Sequence, residues 1–282
     1  AMTERAANAT PTPAGRTLRL EAALRLRRNP GAVLGLVILL LVAAVSLAAP
    51  LLSSYDPVAL APRERLLAPS RAHPFGTDAF GRDVFTRVLY GGRVSLQVGF
   101  IAVAIALAIG LSLGLVAGYF GGLADSLTMR LTDVMLAFPG ILLALAIVAI
   151  LGPDLFNAMI AVGVSASPTY ARVVRGAVLQ TKTLSYVEAV QGSGARSWRV
   201  LLLHILPNIL GPIVVIATLG VANAIVAGAA LSFLGLGAKP PVPEWGLMLA
   251  DGRTYLRHAW WMTTFPGLMI MLTVLAINLV GD

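Results

Sequence analysis

Long runs without an ionisable Asp, Glu, Lys or Arg alternate along this chain with short polar stretches. The runs are 31–55, 94–124, 134–153, 155–171, 200–238 and 259–281. Crossing the roughly 30 Å hydrocarbon core of a bilayer takes about 20 mostly apolar helical residues. The pattern therefore predicts six transmembrane helices. Run 155–171 is the weakest, being short and carrying Asn157, Ser165, Ser167 and Pro168. In run 200–238 the early His204, Pro207 and Asn208 place the start of the span near Ile209. The first run is too long for a secretory signal and lacks a small-residue cleavage site.

These runs divide the chain into a cytoplasmic tail and lead helix (1–30), a first transmembrane helix (31–55), an extracytoplasmic loop (56–93) and a core of five transmembrane helices (94–282) with a polar loop at 172–208. Residues 1–15 are small, polar and proline-containing, as in a disordered tail. Residues 17–29 alternate Leu with Arg. They fit either a short amphipathic helix on the membrane surface or a solvated lead-in to the first span.

Composition supports a membrane protein. Of 282 residues 57% are hydrophobic and only 12% charged, about half the ~25% charge of soluble domains. Too few charges remain to cover a soluble surface, and the chain is too apolar to be disordered. The net charge of +8 comes from 21 basic against 13 acidic residues. There is no basic stripe interleaved with aromatics, so nucleic acid is not the expected partner. Basic residues instead orient the chain. Arg25, Arg27 and Arg28 precede the first span and no basic residue follows it until Arg63. With six spans, the positive-inside rule puts both termini and the loop 172–199 in the cytoplasm. Cysteine is absent, which excludes disulfides and thiol chemistry.

Polar groups at membrane depth are few. Gly110, Gly114 and Gly118 recur on one helical face, a spacing that lets helices approach closely, and packing within the subunit is the simpler use of it. Asn223 and Asn278 are the strongest polar residues inside the runs. No charged residue lies mid-span, so the proton or ion relay of a coupled carrier is missing. There is no Gly-Lys dipeptide and hence no phosphate-binding P-loop. His73, His204 and His258 have no ligand spacing, and no Gly-x-Ser-x-Gly elbow is present. This chain is expected to have no catalytic, cofactor or metal site of its own.

The stretch 172–208, RVVRGAVLQTKTLSYVEAVQGSGARSWRVLLLHILPN, is far more polar than its flanks. Ser185 and Glu188 are spaced as a capping box opening a short helix toward Gln191. Gly192 and Gly194 interrupt it, and a second helix from about Ala195 runs through Trp198 and His204 to Pro207. The expected product is a helix-turn-helix knob suited to docking a partner, with glycines permitting the turn and close backbone approach.

Glu188-Ala189-Val190, three residues, Gly194, nine residues, and then His204-Ile205-Leu206-Pro207 resembles the EAA loop of ABC-importer permease subunits. Val190 departs from the family's second Ala, and His204 stands where the general pattern has Ile. The His-Ile-Leu-Pro-Asn form is similar to the peptide and nickel branch. Three further stretches agree in the family's order. They are His73-Pro-Phe-Gly-Thr-Asp-Ala-Phe-Gly-Arg-Asp-Val-Phe; Ala137-Phe-Pro-Gly; and Leu231-Ser-Phe-Leu-Gly-Leu-Gly followed by Pro240-Pro-Val-Pro-Glu-Trp-Gly. The resemblance covers about 25–282. It implies an all-α membrane protein with the type I ABC-importer permease fold: a C-type permease subunit of a dipeptide or oligopeptide importer in the bacterial inner membrane. It also implies a homologous B-type permease, two cytoplasmic ATPase subunits that bind ATP and Mg, and an extracytoplasmic peptide-binding protein. The ATPase-coupling residues it implies are Val187, Glu188, Ala189, Gly194, Trp198, His204 and Pro207.

Plainer roles stand beside these. Glu188 can serve only the capping box, Gly194 only break a helix, and His204 and Asn208 only satisfy backbone groups freed around Pro207. Phe138-Pro139 reads as a kink, Gly76 to Arg87 as a surface helix that positions the second span, and Trp260-Trp261 as an interfacial anchor. A nickel or nickel-chelate permease is the nearest rival function. A self-sufficient secondary transporter, which often shows inverted repeats, and a scaffold without transport are more distant.

The orientation is testable by single-cysteine labelling in intact cells, since the chain has no cysteine. Ser70→Cys should react with an impermeant reagent and Ser185→Cys should be protected. The reverse pattern overturns the topology.

Overall fold

The computed structural model describes residues 29–281. The expected tail over 1–15 and, apart from Asn29, the lead helix over 17–29 lie outside the described residues. Nine principal helices follow among the described residues: α1 Pro30–Leu47, α2 Val84–Phe120, α3 Gly122–Leu136, α4 Gly140–Leu151, α5 Leu155–Lys182, α6 Ser185–Gly192, α7 Leu206–Phe233, α8 Trp245–Gly252 and α9 Trp261–Gly281.

Local chemistry sets most helix ends. The Asn29 side chain accepts from the backbone N–H groups of Gly31 and Ala32 and Pro30 occupies the first turn, the arrangement favoured at an N-terminus. At the other end of α1, Arg93 of α2 donates from Nε to the Ser46 carbonyl at 2.7 Å and from Nη2 to the Leu47 carbonyl at 2.6 Å. It satisfies carbonyls that a helix end leaves unpaired. Asp83 caps α2 through the Thr86 N–H, and Gly121 closes it with φ 67°, a left-handed stop. Lys182 donates to the Tyr119 carbonyl at 2.7 Å in the last turn of α2.

Helix α2 starts ten residues before the expected 94. Its 37 residues make a rod of about 55 Å, longer than the hydrocarbon core. Arg93, which bounds the run, and Arg87 before it donate to backbone carbonyls of neighbouring segments, Arg93 to those of Ser46 and Leu47 and Arg87 to those of Pro57 and Pro241, so neither ends the helix. Of the expected surface helix over 76–87 only Val84 to Arg87 are helical, as the first turn of α2, and they are buried apart from the half-covered Phe85. Asp78 accepts from the N–H groups of Phe80 and Arg82, and Thr77 bridges Asp83; such side-chain bonds to local backbone compete with helix. The expected single span 134–153 is replaced by α3 and α4, which meet at 93°. Pro139 lacks an N–H and disfavours helical backbone at Phe138, so the anticipated kink is a near-right-angle break. The span from 200 is helical earlier than the expected Ile209, with a π turn at Val200–Ile205 leading into α7.

Four helical segments among the described residues are long and apolar enough to cross a membrane, or five if the bent pair α3–α4 counts as one. Helix α5 is not among them. It packs against α2, α4 and α7 and buries Ala158, Ala161, Val162, Tyr170, Ala171, Val174 and Val178. A helix covered by protein needs less hydrophobicity than one facing lipid, which is why 155–171 reads weakly.

The α2–α5 contact is the most extensive in the fold, and the glycine stripe makes it. A Cβ on Gly110 would lie 2.8 Å from the Ser167 carbonyl oxygen, one on Gly114 2.7 Å from that of Ala171, and one on Gly118 2.7 Å from Val178 Cβ. The packing is within the subunit, the α2 backbone against the carbonyls and first side-chain carbons of α5.

Gly114→Leu should therefore lower thermal stability in detergent, by the ~1–3 kcal/mol typical of overpacking. Gly176→Ala, where an added Cβ meets nothing within 4 Å, should be neutral or stabilising by about 0.5–1 kcal/mol. Melting curves that do not separate the two variants would contradict this account of the stripe.

Candidate functional site

Three constellations are built on this frame. At the N-terminal end of α2 lies a buried polar cluster. The guanidinium of Arg82 donates from Nε to Asp78 at 2.6 Å and approaches Asp251 at 3.4 Å, and Arg87 Nε lies 3.7 Å from Asp78. Burial pushes the Asp251 carboxyl above its ordinary value, against the pull of Arg82 and Arg87. His73 lies between carboxylates, with Nδ1 2.9 Å from Asp83 and Nε2 3.6 Å from Glu64. Glu244 caps α8 through the N–H groups of Gly246 and Leu247, and Trp245 Nε1 donates to the Val88 carbonyl at 2.9 Å. Trp261, expected as an interfacial anchor, is instead buried and donates to the Thr77 carbonyl at 3.0 Å, while Trp260 is half exposed. The cluster thus ties the loop after α1, the start of α2, α8 and the start of α9 into one plug.

At the centre lies a cavity of about 530 Å³. Its walls are the middle of α2 (Ala102, Val103, Ala106), the α3–α4 break (Met135, Phe138, Ile141), α5 (Ser165, Thr169, Tyr170) and α7 (Ile216, Gly220, Asn223). No Asp, Glu, Lys, Arg or His is in its lining. The Tyr170 hydroxyl donates to the Ile216 carbonyl at 3.3 Å.

At the opposite end of α5 lies the knob. Helix α6 forms where expected, but the capping box does not. Leu184, not Ser185, is the N-cap and no side-chain cap bond is made. Ser185 already lies inside the first helical turn, so its hydroxyl is not at the capping position. The second helix starts at Ser197, not Ala195, and passes through the π turn into α7. That turn absorbs the N–H missing at Pro207. Asn208 donates to the His204 carbonyl at 2.7 Å, the backbone-satisfying role expected of it. The named residues divide by exposure. Val187 is fully buried, packed with Val174, Val178, Val200, Ile205 and Ile209. Glu188, Ala189, Gly194, Trp198 and Pro207 are exposed and His204 is partly covered. Gly194 adopts φ 83°, the left-handed backbone that glycine favours.

Sequence reasoning missed Tyr186, whose hydroxyl reaches the His204 carbonyl at 3.4 Å and braces the knob's two arms. It also missed that Thr169 and Asn223 share one cavity. Two further ties steady the base of the knob. Arg172 donates to Asp133 at 2.8 Å and Arg175 Nη2 to Asp125 at 2.6 Å, joining α5 to α3.

The comparisons with known proteins agree with one another. The profile of the family described as "Binding-protein-dependent transport system inner membrane component" matches residues 110–282. That of the "N-terminal TM domain of oligopeptide transport permease C" matches residues 17–69. The dipeptide transport system permease protein DppC of Alkalihalophilus pseudofirmus is 50% identical over 262 residues, 93% of this chain and 86% of that protein. The protein of the same name from Escherichia coli K12 is 50% identical over 263 residues, 91% and 87% respectively. Among solved structures, the inward-facing MetNI methionine ABC transporter shares the fold, with a TM-score of 0.56 and 23% identity over 70% of this chain and 94% of that one. By sequence identity along nearly its whole length, and by the fold those residues build, the chain belongs to the binding-protein-dependent transport system inner membrane components, as a C-type permease of the peptide ABC importer group.

Proposed function

We propose that this chain is one pore-forming half of an ATP-driven importer that moves dipeptides or oligopeptides into the cytoplasm of a bacterium. It crosses the inner membrane six times, α5 supplying the span of low hydropathy and α3–α4 together another, with both termini cytoplasmic. A homologous B-type permease completes the path around the central cavity. Two cytoplasmic ATPase subunits hold ATP and Mg and seat the knobs. An extracytoplasmic binding protein delivers peptide to the face carrying the plug. Relatives 50% identical to this chain are named as dipeptide transport system permeases, which supports the substrate class.

The observation that carries the coupling role is the position of Val187. It belongs to one apolar cluster with α5 and α7, and the same two helices wall the cavity. A force on the exposed residues Glu188, Ala189 and Trp198 is therefore delivered to the cavity walls through packed side chains, not through a loose loop. Close-packed interiors deform little, so the knob moves with its helices. Tyr186, Arg172 and Arg175 hold it in place, while Gly194 sets the turn and Pro207 the entry to α7.

In right-side-out vesicles of the complete importer, loaded with nucleotide and given binding protein outside, dipeptide uptake should require hydrolysable ATP and be competed by other dipeptides but not by nickel. ATP-independent uptake points to a secondary carrier and nickel competition to the metal branch. Measured alone and free of contaminating ATPase, this chain should turn over no nucleotide, since it has no P-loop.

Ala189→Trp and Gly192→Leu should insert, pair with the second permease and lose ATPase binding or uncouple hydrolysis from uptake. Gly192 is the cleaner glycine to test, because an added Cβ there meets nothing and its φ is not positive, unlike Gly194. Overpacking of ~1–3 kcal/mol weakens docking about tenfold or more. Full ATPase binding and uptake in both variants reduces the knob to a connector.

A further inference from the structure

The cavity wall holds polar groups of two kinds. Ser165 and Tyr170 spend their hydroxyls on the protein's own backbone, donating to the carbonyls of Val162 at 2.9 Å and Ile216 at 3.3 Å. Thr169 and Asn223 also line the cavity and are exposed to it, and among the described residues neither side chain has a hydrogen-bond partner. Asn223 stands 17 residues after Leu206 and 10 before Phe233 in α7, roughly 26 Å and 15 Å along the axis. Thr169 is close to the middle of α5, 14 residues after Leu155 and 13 before Lys182. Both therefore sit at membrane depth, where a polar group without a partner is costly. Elsewhere in this fold hydroxyls at depth bond the preceding turn, as Thr218 and Thr273 do at 2.8 and 2.7 Å. Asn223 does not, and its carboxamide is left free toward the cavity.

We propose that Asn223, with Thr169 across the cavity, is a direct contact for the peptide backbone of the solute in transit. This deepens the peptide-importer reading and rests on it. A carboxamide offers both donors and an acceptor, the complement of the C=O and N–H in a peptide bond. A hydroxyl offers the same pair. The other lining residues are apolar or already bonded, and none is ionised at neutral pH. Such a wall recognises what all peptides share and is indifferent to the charge of their side chains. A fixed charge there would hold one class of peptide and repel another at short range in a medium of low polarity. Neutrality is thus the selectivity device, and Asn223 supplies the polar contact that a purely apolar wall would lack.

The test uses the complete importer reconstituted with its binding protein, comparing uptake of a glutamate-containing and a lysine-containing dipeptide. Asn223→Leu should lower the maximal rate for both about tenfold, one hydrogen bond's worth in a low-polarity site, with the half-saturating peptide concentration unchanged. Asn223→Gln should keep the rate within about threefold. Asn223→Asp should slow the glutamate peptide about tenfold more than the lysine peptide, a change in ratio that misfolding does not produce. Each variant's assembly is checked by size-exclusion chromatography, and if Asn223→Leu does not assemble the Asp and Gln arms decide. An unchanged ratio in Asn223→Asp, or full rates in Asn223→Leu, overturns the role of Asn223 and leaves peptide import standing. No peptide uptake by the wild-type importer overturns the functional reading, and this proposal with it.

Discussion

The backbone approach of α2 to α5 is the contact on which the rest of the molecule depends. Three glycines leave no side chain on the α2 face of the contact, so the Tyr170, Val174 and Val178 side chains and the carbonyls beside them on α5 pack directly against the α2 backbone. From α5 outward the other sites follow. Thr169 and Tyr170 face the cavity, Val174 and Val178 receive Val187 of the knob, and Arg172 and Arg175 tie the helix to α3. One helix therefore carries the cavity wall, the seat of the knob and the brace between them. In a membrane, where lipid is as apolar as the helices, such close packing takes the place of the hydrophobic drive that holds a soluble bundle together.

A second constraint is that polar groups removed from water must be paired. The fold gathers most of its buried charge in one place, the plug above α2, where Asp78, Arg82, Arg87 and Asp251 neutralise one another and His73 and Asp83 pair beside them. At the membrane-depth cavity the opposite solution is used: the wall carries no ionised group at all. The two ends of the protein are thus built differently, one as a dense ionic plug and the other as an apolar seat packed around Val187, with a neutral chamber between them.

Much of this organisation is legible in the residues. Phe138-Pro139 marks the break between α3 and α4, because proline effects act within a few residues of chain. The polar character of 172–208 likewise exposes the knob and its glycine turn. The expected capping box does not form because Ser185-x-x-Glu188 has the right spacing where Leu184 is the N-cap and the helix opens at Ser185, one residue earlier than the box requires. Spacing alone does not decide which residue becomes the N-cap. Residues 155–171 were faint for a related reason: hydropathy measures what lipid requires, and α5 is covered by protein.

By itself, then, the sequence determined the class of protein, the approximate place of its apolar helices, the polar knob and the family motifs, all properties of local composition and short spacing. Only the tertiary structure decided that Gly110, Gly114 and Gly118 meet α5, that Val187 points inward while Glu188 and Ala189 point out, and that Thr169 and Asn223, 54 residues apart, line one chamber. Those outcomes depend on how helices distant in sequence stack against each other, and the energy that selects one stacking is spread over many contacts that no single stretch of chain contains.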